Sequence, residues 1–596
     1  MCRIAGIANP TLPFSVAEEK VRKMCQLQQH GGPDDEGVYA CMEHNIILGH
    51  RRLALIDLSP SGHQPMIYNN RYVISFNGEI YNFPELKNQL QQMGWQFHTE
   101  CDTEVILAAF AQWNTHSFHR LRGMFAFALY DKAEQTIYLV RDPSGIKPLY
   151  YSTIDKTLQF SSEIRAFNVF QNKKPNQHWP VYQLAYGHLP EPVTTFSNIQ
   201  PLHKGCFLKY NLSTHTYSYQ SFTHYSYSNQ LKDVDVTNDT LNRALYNAVG
   251  RHLLSDAPIG VFLSGGLDSS IVSILAAAFQ QQHLKTLSIY FDEPDFSEKK
   301  YQDLIIQKLQ CNFYQHLLSA DEFHASFPDI LQAMDMPSCD GVNTWFISKY
   351  ARRQGLKAVL SGIGSDELFG GYPSFQRMNI AYKMQKLSGS ATQLLKNSRM
   401  KMISRIPYLS LEGTKGLYLF LRGQFVPVQI ARHLDATEKE IWNILREHPM
   451  PVSVRKLSDK NKASWIELNL YMQNQLLRDA DVMGMAHGVE IRVPFLDDEV
   501  VTTALSVDAS LKYNGSVPKQ ILINLFKHKL PEPVWKREKM GFSFPFTQWM
   551  AQSEFVKDMM QQSNKSSRDS YKKFLEGQLH WSHLMSLLIL QVRGMG

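Results

Sequence analysis

The sequence predicts an α+β domain followed by an α/β domain: two packed sheets flanked by helices, then a parallel, doubly wound sheet. Up to about residue 210, short β-branched and aromatic runs alternate with Gly, Pro, Asn and Asp, which is typical of many strands and few helices. After residue 240, apolar runs lead into Gly-rich turns and then into helical patterns, which is typical of βα units.

Length and composition limit the classes of function. A chain of 596 residues is too long for one core, so two to four domains are expected. The net charge of +6 is small and no basic run accompanies it, which gives little support to nucleic-acid binding. No apolar stretch reaches the ~18 residues of a membrane helix, and no signal-peptide pattern is present, so no membrane partner is expected. The seven cysteines are widely spaced without a CxxC pair, which favours a reducing cytoplasm over a zinc or disulfide framework.

Strand and helix patterns divide the chain at a polar segment. In residues 1–210 the strand patterns are 4–8, 46–49, 72–76, 124–130, 137–141, 149–152 and 158–161, and the helix patterns are 16–29, 83–93 and 103–113. Residues 211–240 are rich in Ser, Thr, Tyr and Asn without periodicity, and we interpret them as an interdomain linker. Residues 241–596 then form the second domain.

Cys2 is a candidate nucleophile. Removal of Met1 would leave one residue with both a thiol and a free α-amine, whose ordinary pKa of about 7.7–8.0 lets it act as a base near neutral pH. An adjacent base activates a thiol, so this single residue would be a complete nucleophile–base pair. The apolar run from Ile4 to Ala8 predicts a strand that would hold the terminus inside the fold.

Seven short segments in the first 152 residues carry most of the polar candidates. They are CRIAGI at 2–7, HGGPDDEG at 30–37, GHRRLALIDLS at 49–59, HQPM at 63–66, FNGEIYN at 76–82, GMFAFALYD at 123–131 and RDPSGIKPLYYS at 141–152. Taken singly, Asn77-Gly78 is typical of a type I′ hairpin turn, and Arg52 and Glu79 are typical of solvated surface charges. In this order, the segments resemble the class II glutamine amidotransferases, and especially the glutaminase domain of the asparagine synthetase B family. The resemblance implies an Ntn-hydrolase (αββα) fold.

This resemblance implies a role for each polar candidate in glutamine hydrolysis. Cys2 would attack the side-chain amide, ammonia would leave, and water would release glutamate from the thioester. Arg52 would pair with the α-carboxylate, because a guanidinium fork matches a carboxylate. Asn77 and the N–H of Gly78 would form the oxyanion hole. Glu79 and Asp102 would hold the α-ammonium group. The substrate would be lined by the backbone of Leu53, Ala54, Leu55 and Ile56.

The second domain opens with a strand–loop–helix pattern. Residues 259–263 form an apolar strand pattern, SGGLDSS follows at 264–270, and residues 271–279 have a helical pattern. Such a loop presents backbone N–H groups and a helix N-terminus to an anion. It lacks GxxxxGK[ST] and is therefore not a Walker loop. Taken singly it is a Gly-rich βα turn, but it resembles the pyrophosphate loop of ATP-dependent adenylating enzymes. The resemblance implies a PP-loop, adenine-nucleotide α-hydrolase-like fold.

A second loop, SGIGSDELFGGY at 361–372, follows another strand pattern at 357–360 and resembles the family's second nucleotide motif. The resemblance implies ATP contacts from Leu263, Ser264, Gly265, Gly266, Asp268, Ser269, Ile289, Ser361, Gly362 and Lys519. Asp268 and Asp366 would hold Mg²⁺ on the pyrophosphate, because a hard cation prefers oxygen ligands; taken singly, Asp366-Glu367 is typical of a helix start. Lys539 would neutralise charge that develops in the transition state, with Lys519 as its weaker companion.

A further signature, MAHGVEIRVPFLD at 485–497, is interpreted as structural, with buried ion pairs around the sheet. The resemblance of the two halves implies that ammonia from glutamine, carried through a dry passage, displaces AMP from adenylated aspartate to give asparagine. A homodimer is implied by the resemblance alone.

Two departures from the family pattern leave the amidated acid open. Ile363 stands where an acidic residue is usual, and Asp479 and Val482 stand where a basic residue is often found. A sugar acid or peptide acid of an envelope or secondary-metabolite pathway is therefore an alternative to aspartate. A β-lactam synthetase-like enzyme that does not use glutamine is disfavoured by an intact Cys2 and by the full set of Arg52, Asn77 and Glu79. A non-catalytic scaffold is disfavoured by the intact SGGLDSS loop and Lys539.

Overall fold

The computed structural model describes residues 2–223, 225–280, 283–309, 311–387, 404–448, 454–515, 517–538, 540–541 and 544–594. Lys539, the candidate cation of the second domain, lies outside the described residues.

The first domain contains two six-stranded antiparallel sheets. Its strands are β1 Arg3–Ala8, β2 Asp35–Cys41, β3 Ile46–Arg52, β4 Met66–Tyr68, β5 Tyr72–Ile80, β6 Gly123–Asp131, β7 Thr136–Arg141, β8 Tyr150–Ser152, β9 Leu158–Ser161, β10 Gln200–Pro201, β11 Cys206–Asn211 and β12 Thr216–Ser221. The strand orders are β10-β8-β9-β1-β3-β2 and β12-β11-β7-β6-β5-β4. Its helices are α1 Phe14–Leu27, α2 Phe83–Gln92, α3 Asp102–Trp113 and α4 Trp179–Tyr186.

The alternation of side chains along the strands builds four layers. Leu48 on β3 packs with Ala128 on β6 in a core between the two sheets. Its neighbour Ile47 points the other way and belongs to the core that contains Val21 of α1. On the second sheet, Ile74 packs with Phe110 of α3. Each sheet therefore has one face on its partner and one on helices, as the αββα expectation requires.

Asn77 and Gly78 do not form the hairpin turn that the dipeptide suggests by itself. They lie inside β5, where Asn77 pairs with Ala126 and Gly78 with Phe125 of β6. The apolar residues on both sides of the dipeptide are fully engaged in the sheet, and this tertiary pairing overrides the local turn preference.

The second domain is built on a five-stranded parallel sheet of order β15-β14-β13-β16-β17. The strands are β13 Ile259–Phe262, β14 Lys285–Tyr290, β15 Asn312–Leu317, β16 Ala358–Leu360 and β17 Glu490–Arg492. The order reverses between β13 and β16, and ligands bind at such switch points outside the carboxyl ends of the strands. The two candidate nucleotide loops follow these two strands.

Helices surround this sheet and form a carboxy-terminal layer. They are α5 Val234–His252, α6 Leu267–Gln280, α7 Lys299–Leu309, α8 Ala320–Ala333, α9 Val342–Arg353, α10 Ser365–Phe369, α11 Ser374–Leu387, α12 Gly413–Arg422, α13 Pro427–His433, α14 Glu438–Glu447, α15 Asp459–Ile466, α16 Leu477–Met485, α17 Asp498–Ser506, α18 Ala509–Lys512, α19 Gln520–Phe526, α20 Glu532–Lys536, α21 Phe546–Gln552, α22 Glu554–Gln561, α23 Lys565–Leu575 and α24 Trp581–Val592. A π-helical segment, Glu467–Leu476, joins α15 to α16.

The segment at 211–240, interpreted from sequence as a linker, contains regular structure at both ends. β12 pairs with β11 across Thr216–Ser221, and α5 begins at Val234, where Asp233 caps it by accepting the N–H of Val236 at 2.9 Å. β12 is an exposed edge strand, so it lacks the apolar alternation that marks a half-buried strand. The connection between the domains is correspondingly shorter than expected.

Buried charges fill the interface between the two domains. Arg3 of β1 lies 2.6 Å from Glu163 of its own domain and 2.9 Å from Asp481 of α16. Arg165 joins Glu163 at 2.9 Å and Asp335 of the second domain at 3.4 Å. Buried charges are costly unless paired, so these pairs fix how the domains dock directly behind Cys2.

Candidate active sites

Cys2 lies at the start of β1 and is 8% exposed. Its backbone nitrogen donates to Oδ1 of Asn77 at 3.2 Å. Burial raises the pKa of the Cys2 thiol, while the N–H of Leu53 and the guanidinium of Arg52 oppose that rise. The predicted nucleophile therefore lies among other predicted glutamine-site residues.

Asn77 and Gly78 are placed where an oxyanion hole could form. Asn77 is fully buried, and its Nδ2 has no hydrogen-bond partner within the described chain. An unsatisfied buried donor is costly, which makes it a strong candidate for an acceptor on the substrate. Gly78 has φ of +154°, and a Cβ there would lie 2.1 Å from the carbonyl oxygen of Met124. Only glycine fits this approach of β5 to β6.

Arg52 sits at the end of β3 with a guanidinium held entirely by main-chain oxygens. Nη1 donates to the carbonyl of Ser59 at 3.0 Å, and Nη2 donates to the carbonyl of Asp57. A Cβ on Gly62 would come within 2.0 Å of Nη2, so the loop wraps closely around the group. Among the described residues no carboxylate pairs with Arg52. These bonds orient the guanidinium without neutralising it, which suits it to an incoming carboxylate.

Glu79 and Asp102 form an acidic pair beside this site. Both are 5% exposed, and Oε2 of Glu79 has no hydrogen-bond partner in the described ranges. Asp102 accepts the N–H of Ile80 at 2.9 Å. Burial raises the pKa of Asp102 to about 7 and raises that of Glu79 well above its ordinary value. Such a pair is stabilised by a cation, and the α-ammonium of an amino acid is one.

The loop after β3, residues 53–56, connects the first site with the second domain. The N–H of Ala54 donates to Oδ2 of Asp34 at 2.9 Å, and the carbonyl of Leu55 accepts the N–H of Asp256 at 2.8 Å. Leu53, Ala54 and Leu55 are buried and Ile56 is half-buried. The structure thus brings the predicted glutamine-site residues together and supports their loop from the second domain.

The two nucleotide loops meet at the switch point of the parallel sheet. Within the first loop, the N–H of Ser264 donates to Oγ of Ser269 at 3.2 Å, and the N–H of Gly266 donates to Oγ of Ser264 at 3.2 Å. A Cβ on Gly362 in the second loop would lie 2.9 Å from Cβ of Asp268. The close approach of the loops explains why this position is a glycine.

A cavity of about 330 Å³ lies between these loops. Of the residues predicted to bind ATP or metal, those lining it are Leu263, Ser264, Gly266, Asp268, Ser269, Ile289, Ser361, Gly362, Asp366 and Lys519. Gly265 is predicted with them but does not line the cavity. It turns the loop with φ of +84°, and its carbonyl accepts from Nη2 of Arg537 at 3.1 Å.

Lys519 joins the two aspartates predicted to bind metal. Its Nζ lies 2.7 Å from both carboxylate oxygens of Asp268 and 2.8 Å from Oδ1 of Asp366. Burial would lower the pKa of Lys519, but the two carboxylates raise it above its ordinary value. The two carboxylates therefore already bind one cation, and this oxygen donor set fits a hard metal ion. Within the described part of the chain, no three His, Cys, Asp or Glu side chains cluster as a metal site.

Several lining residues were not identified from sequence. Asp340, Asn343, Glu367 and Arg537 reach the cavity beside Ile363 and Asp479. Asp479 accepts the hydroxyl of Ser338 at 2.6 Å, and burial raises its pKa to about 7. Val482 is buried and does not line the cavity. Arg537 contacts Glu298 and stacks 3.9 Å from the Tyr301 ring. Its place two residues before Lys539 is the signal that could have identified it.

In an αββα domain, Cys2 is buried beside Asn77, whose Nδ2 is unpartnered in the described chain, and the Gly-rich 264–270 loop lies at the switch point of a parallel sheet. This combination is typical of a two-domain amidotransferase of the ligase class. The chain belongs to the asparagine synthase family. Residues 240–592 match the family model described as asparagine synthase, and residues 1–223 match that of the glutamine amidotransferase domain. The first domain thus has the class II (Ntn) glutamine amidotransferase fold, and the second is the asparagine synthase domain, built on a parallel sheet.

Known relatives match nearly the whole chain. Asparagine synthetase [glutamine-hydrolyzing] 1 of Bacillus subtilis (strain 168) is 31% identical over 99% of this chain and 93% of its own length. A putative asparagine synthetase [glutamine-hydrolyzing] of Mycobacterium bovis is 31% identical over 93% of this chain and 88% of its own. A solved structure of glutamine phosphoribosylpyrophosphate amidotransferase from B. subtilis is 14% identical, covering 61% of this chain and 81% of that one with a TM-score of 0.29.

Proposed function

We propose that this protein is a glutamine-dependent asparagine synthetase, a carbon–nitrogen ligase that uses glutamine as the donor of amide nitrogen. The observation that supports this most strongly is that predicted residues of two different sites come together in one chain. Cys2 and Asn77 meet in the first domain, and the 264–270 and 361–366 loops enclose a cavity in the second. The substrates are glutamine, ATP and aspartate.

In the first pocket, glutamine is held by its two charged ends. Arg52 pairs with the α-carboxylate, Glu79 and Asp102 hold the α-ammonium, and the backbone of residues 53–56 lines the chain of the substrate. After removal of Met1, the α-amine of Cys2 takes the thiol proton and the sulfur attacks the amide carbon. The oxyanion forms beside Nδ2 of Asn77 and the N–H of Gly78. Ammonia leaves with a proton, and water then cleaves the thioester to glutamate.

In the second pocket, ATP adenylates the acceptor carboxylate, and ammonia displaces AMP. The 264–270 loop and Ser361–Gly362 bind the nucleotide, with Leu263 and Ile289 at the adenosine end. Asp268 and Asp366 would hold Mg²⁺, which would neutralise phosphate charge when bound. Lys519 and Lys539 supply fixed positive charge near the pyrophosphate. Only ammonia passes from the glutamine site to this pocket, so a dry passage between the two sites is part of the proposal.

The remaining proposals concern setting and partners. All seven cysteines are free thiols, which supports a reducing compartment, and we place the protein in the cytoplasm. No helix in the described ranges combines enough length and apolar sequence to cross a bilayer. A homodimer is proposed on family resemblance alone.

A panel of acids in ATP–pyrophosphate exchange tests the acceptor. We expect aspartate to support exchange, and a sugar acid or a peptide acid to fail. Exchange with one of those acids and not with aspartate would replace the proposed acceptor with the alternative. Absence of exchange with every acid would favour a scaffold that retains the fold.

A further inference from the structure

Arg492 of the second domain reaches into the glutamine pocket of the first. Its Nη2 lies 3.5 Å from Oε1 of Glu79, and both side chains are buried. Arg492 is the last residue of β17, the edge strand of the parallel sheet in the second domain. Its side chain nevertheless contacts a residue of the first domain.

The other bonds of Arg492 hold its guanidinium in place. Nε donates to Oε1 of Glu490 at 2.6 Å, and Nη1 donates to the carbonyls of His252 at 2.8 Å and Leu254 at 2.6 Å. Its own carbonyl accepts the N–H of Ser361, in the second nucleotide loop, at 2.8 Å. A side chain with this many partners has little freedom, so its distance to Glu79 is set by the packing of the second domain.

The charged groups that face Glu79 show why its contact with Arg492 matters for its protonation state. Asp102 and Glu490 are like charges, Cys2 and Tyr81 are acids that add no positive charge, and Arg492 and the amino terminus are the cationic groups. Burial, Glu490 and Asp102 raise the pKa of Glu79, whereas Arg492 lowers it. A protonated Glu79 would lose its electrostatic attraction for an ammonium group.

We propose that Arg492 is a positioning residue of the glutamine site: it favours the ionised form of Glu79 and orients it, with Oε1 toward itself and Oε2 free for the α-ammonium of glutamine. The synthetase domain thereby completes the substrate site of the glutaminase domain. This inference rests on the proposed function, because it assigns the ammonium of glutamine to Glu79. The unpartnered Oε2 of Glu79 is the second observation that supports it.

The test compares glutamine with its des-amino analogue, glutaramate, in the full chain. The analogue keeps the carboxylate and the reacting amide and lacks only the ammonium. Arg492→Gln and Arg492→Met remove the charge, and Arg492→Lys keeps it. We expect the neutral variants to raise KM for glutamine about tenfold near neutral pH, with KM for glutaramate changed less than about twofold. The lysine variant should stay within about threefold of the wild type for both.

The pH profile separates a loss of charge on Glu79 from a loss of structure. In the neutral variants, KM for glutamine should fall as pH rises, because Glu79 regains its charge, and KM for glutaramate should not follow it. Arg165→Gln is the matched control, since Arg165 also pairs with a carboxylate across the domain interface, that of Asp335, but does not contact Glu79. Thermal unfolding of each variant reports folding.

If both KM values stay unchanged in the neutral variants, the inference is overturned. If both KM values rise by the same factor, the inference is also overturned, because such a rise indicates a structural role. If neither neutral variant folds, the lysine variant decides, and loss of the glutamine preference there overturns the inference. If the wild type does not hydrolyse glutamine, it is the proposed function that fails. If it hydrolyses both substrates with equal KM, the inference fails by itself.

Discussion

The backbone nitrogen of Cys2 and Oδ1 of Asn77 are joined by a 3.2 Å hydrogen bond. This bond uses the acceptor of the Asn77 amide and leaves its donor, Nδ2, for another partner. Because Nδ2 finds no other partner among the described residues, the nucleophile itself orients the group proposed to stabilise the oxyanion.

Replacement of Asn77 by alanine should therefore slow the chemical step of glutamine hydrolysis. Loss of an oxyanion donor of this kind typically lowers kcat about 10²–10³-fold. Steady-state release of glutamate measures it, and ammonia-dependent synthesis should be unchanged. A variant with wild-type kcat would remove Asn77 from the oxyanion hole.

Cys2→Ala should abolish glutamine-dependent synthesis and leave ammonia-dependent synthesis intact, because only the first pocket loses its nucleophile. The comparison needs both nitrogen sources with saturating ATP and aspartate. Cys206→Ala is the control, since this half-exposed thiol lies on β11 outside both pockets. Loss of both activities in Cys2→Ala would refute the division of labour between the domains.

Gly78→Ala should impair the first domain through the backbone. Its Cβ would meet the carbonyl oxygen of Met124 at 2.1 Å and Cα of Phe125 at 2.6 Å, so β5 and β6 would have to separate. We expect a lower melting temperature and little glutaminase activity. Gly94→Ala is the control, because a Cβ there meets nothing within 4 Å; it keeps only the cost of a positive φ. Equal melting temperatures for the two variants would contradict this reading.

The first domain was predictable from sequence to the extent that its motifs are local. The run around Asn77-Gly78 identified the site, but the same dipeptide taken singly predicted a turn, because pairing with β6 is a long-range contact that no local pattern contains. β12 was missed for a related reason: an exposed edge strand has no buried face to produce alternation.

The second pocket was less predictable, since its lining comes from separated segments. The loops at 264–270 and 361–366 have recognisable spacing, whereas Asp340 and Arg537 join them only through the fold of the parallel sheet. Lys519 was expected as a minor companion of Lys539, yet the structure places it between Asp268 and Asp366. The sequence predicts only structural ion pairs for the segment that contains Arg492, because its contact with Glu79 depends on the domain interface.

Lys519→Met should change how the second pocket binds divalent metal. Without the ammonium, Asp268 and Asp366 would face each other as like charges, so the variant should bind Mn²⁺ without nucleotide more tightly than the wild type. Titration followed by electron paramagnetic resonance measures this. The exposed Lys527, at the end of α19, gives the control variant Lys527→Met. Equal Mn²⁺ affinity in Lys519→Met and the wild type would contradict the role of the two aspartates.

Glu163→Gln should destabilise the domain interface by about 3–5 kcal/mol, because Arg3 and Arg165 would lose a buried partner. Burial alone would raise the pKa of Glu163, but His30, Arg3 and Arg165 lower it below its ordinary value of 4.5. A carboxyl with a lowered pKa stabilises the fold above its ordinary pKa, and this stability is lost as pH falls through the lower value. The wild type should therefore lose stability on acidification below about pH 4.5 more steeply than the variant. Urea unfolding at several pH values measures it, and parallel curves would contradict it.

In the proposed reaction, nitrogen from glutamine reaches an acid that ATP has activated in the same chain. Glutamine with an isotopically labelled amide nitrogen, incubated with enzyme, ATP and aspartate, tests it by mass spectrometry of the products. We expect labelled asparagine formed in step with AMP and glutamate, with little dilution by unlabelled ammonia added to the solution. Labelled ammonia released to solvent with no labelled amide product would contradict it.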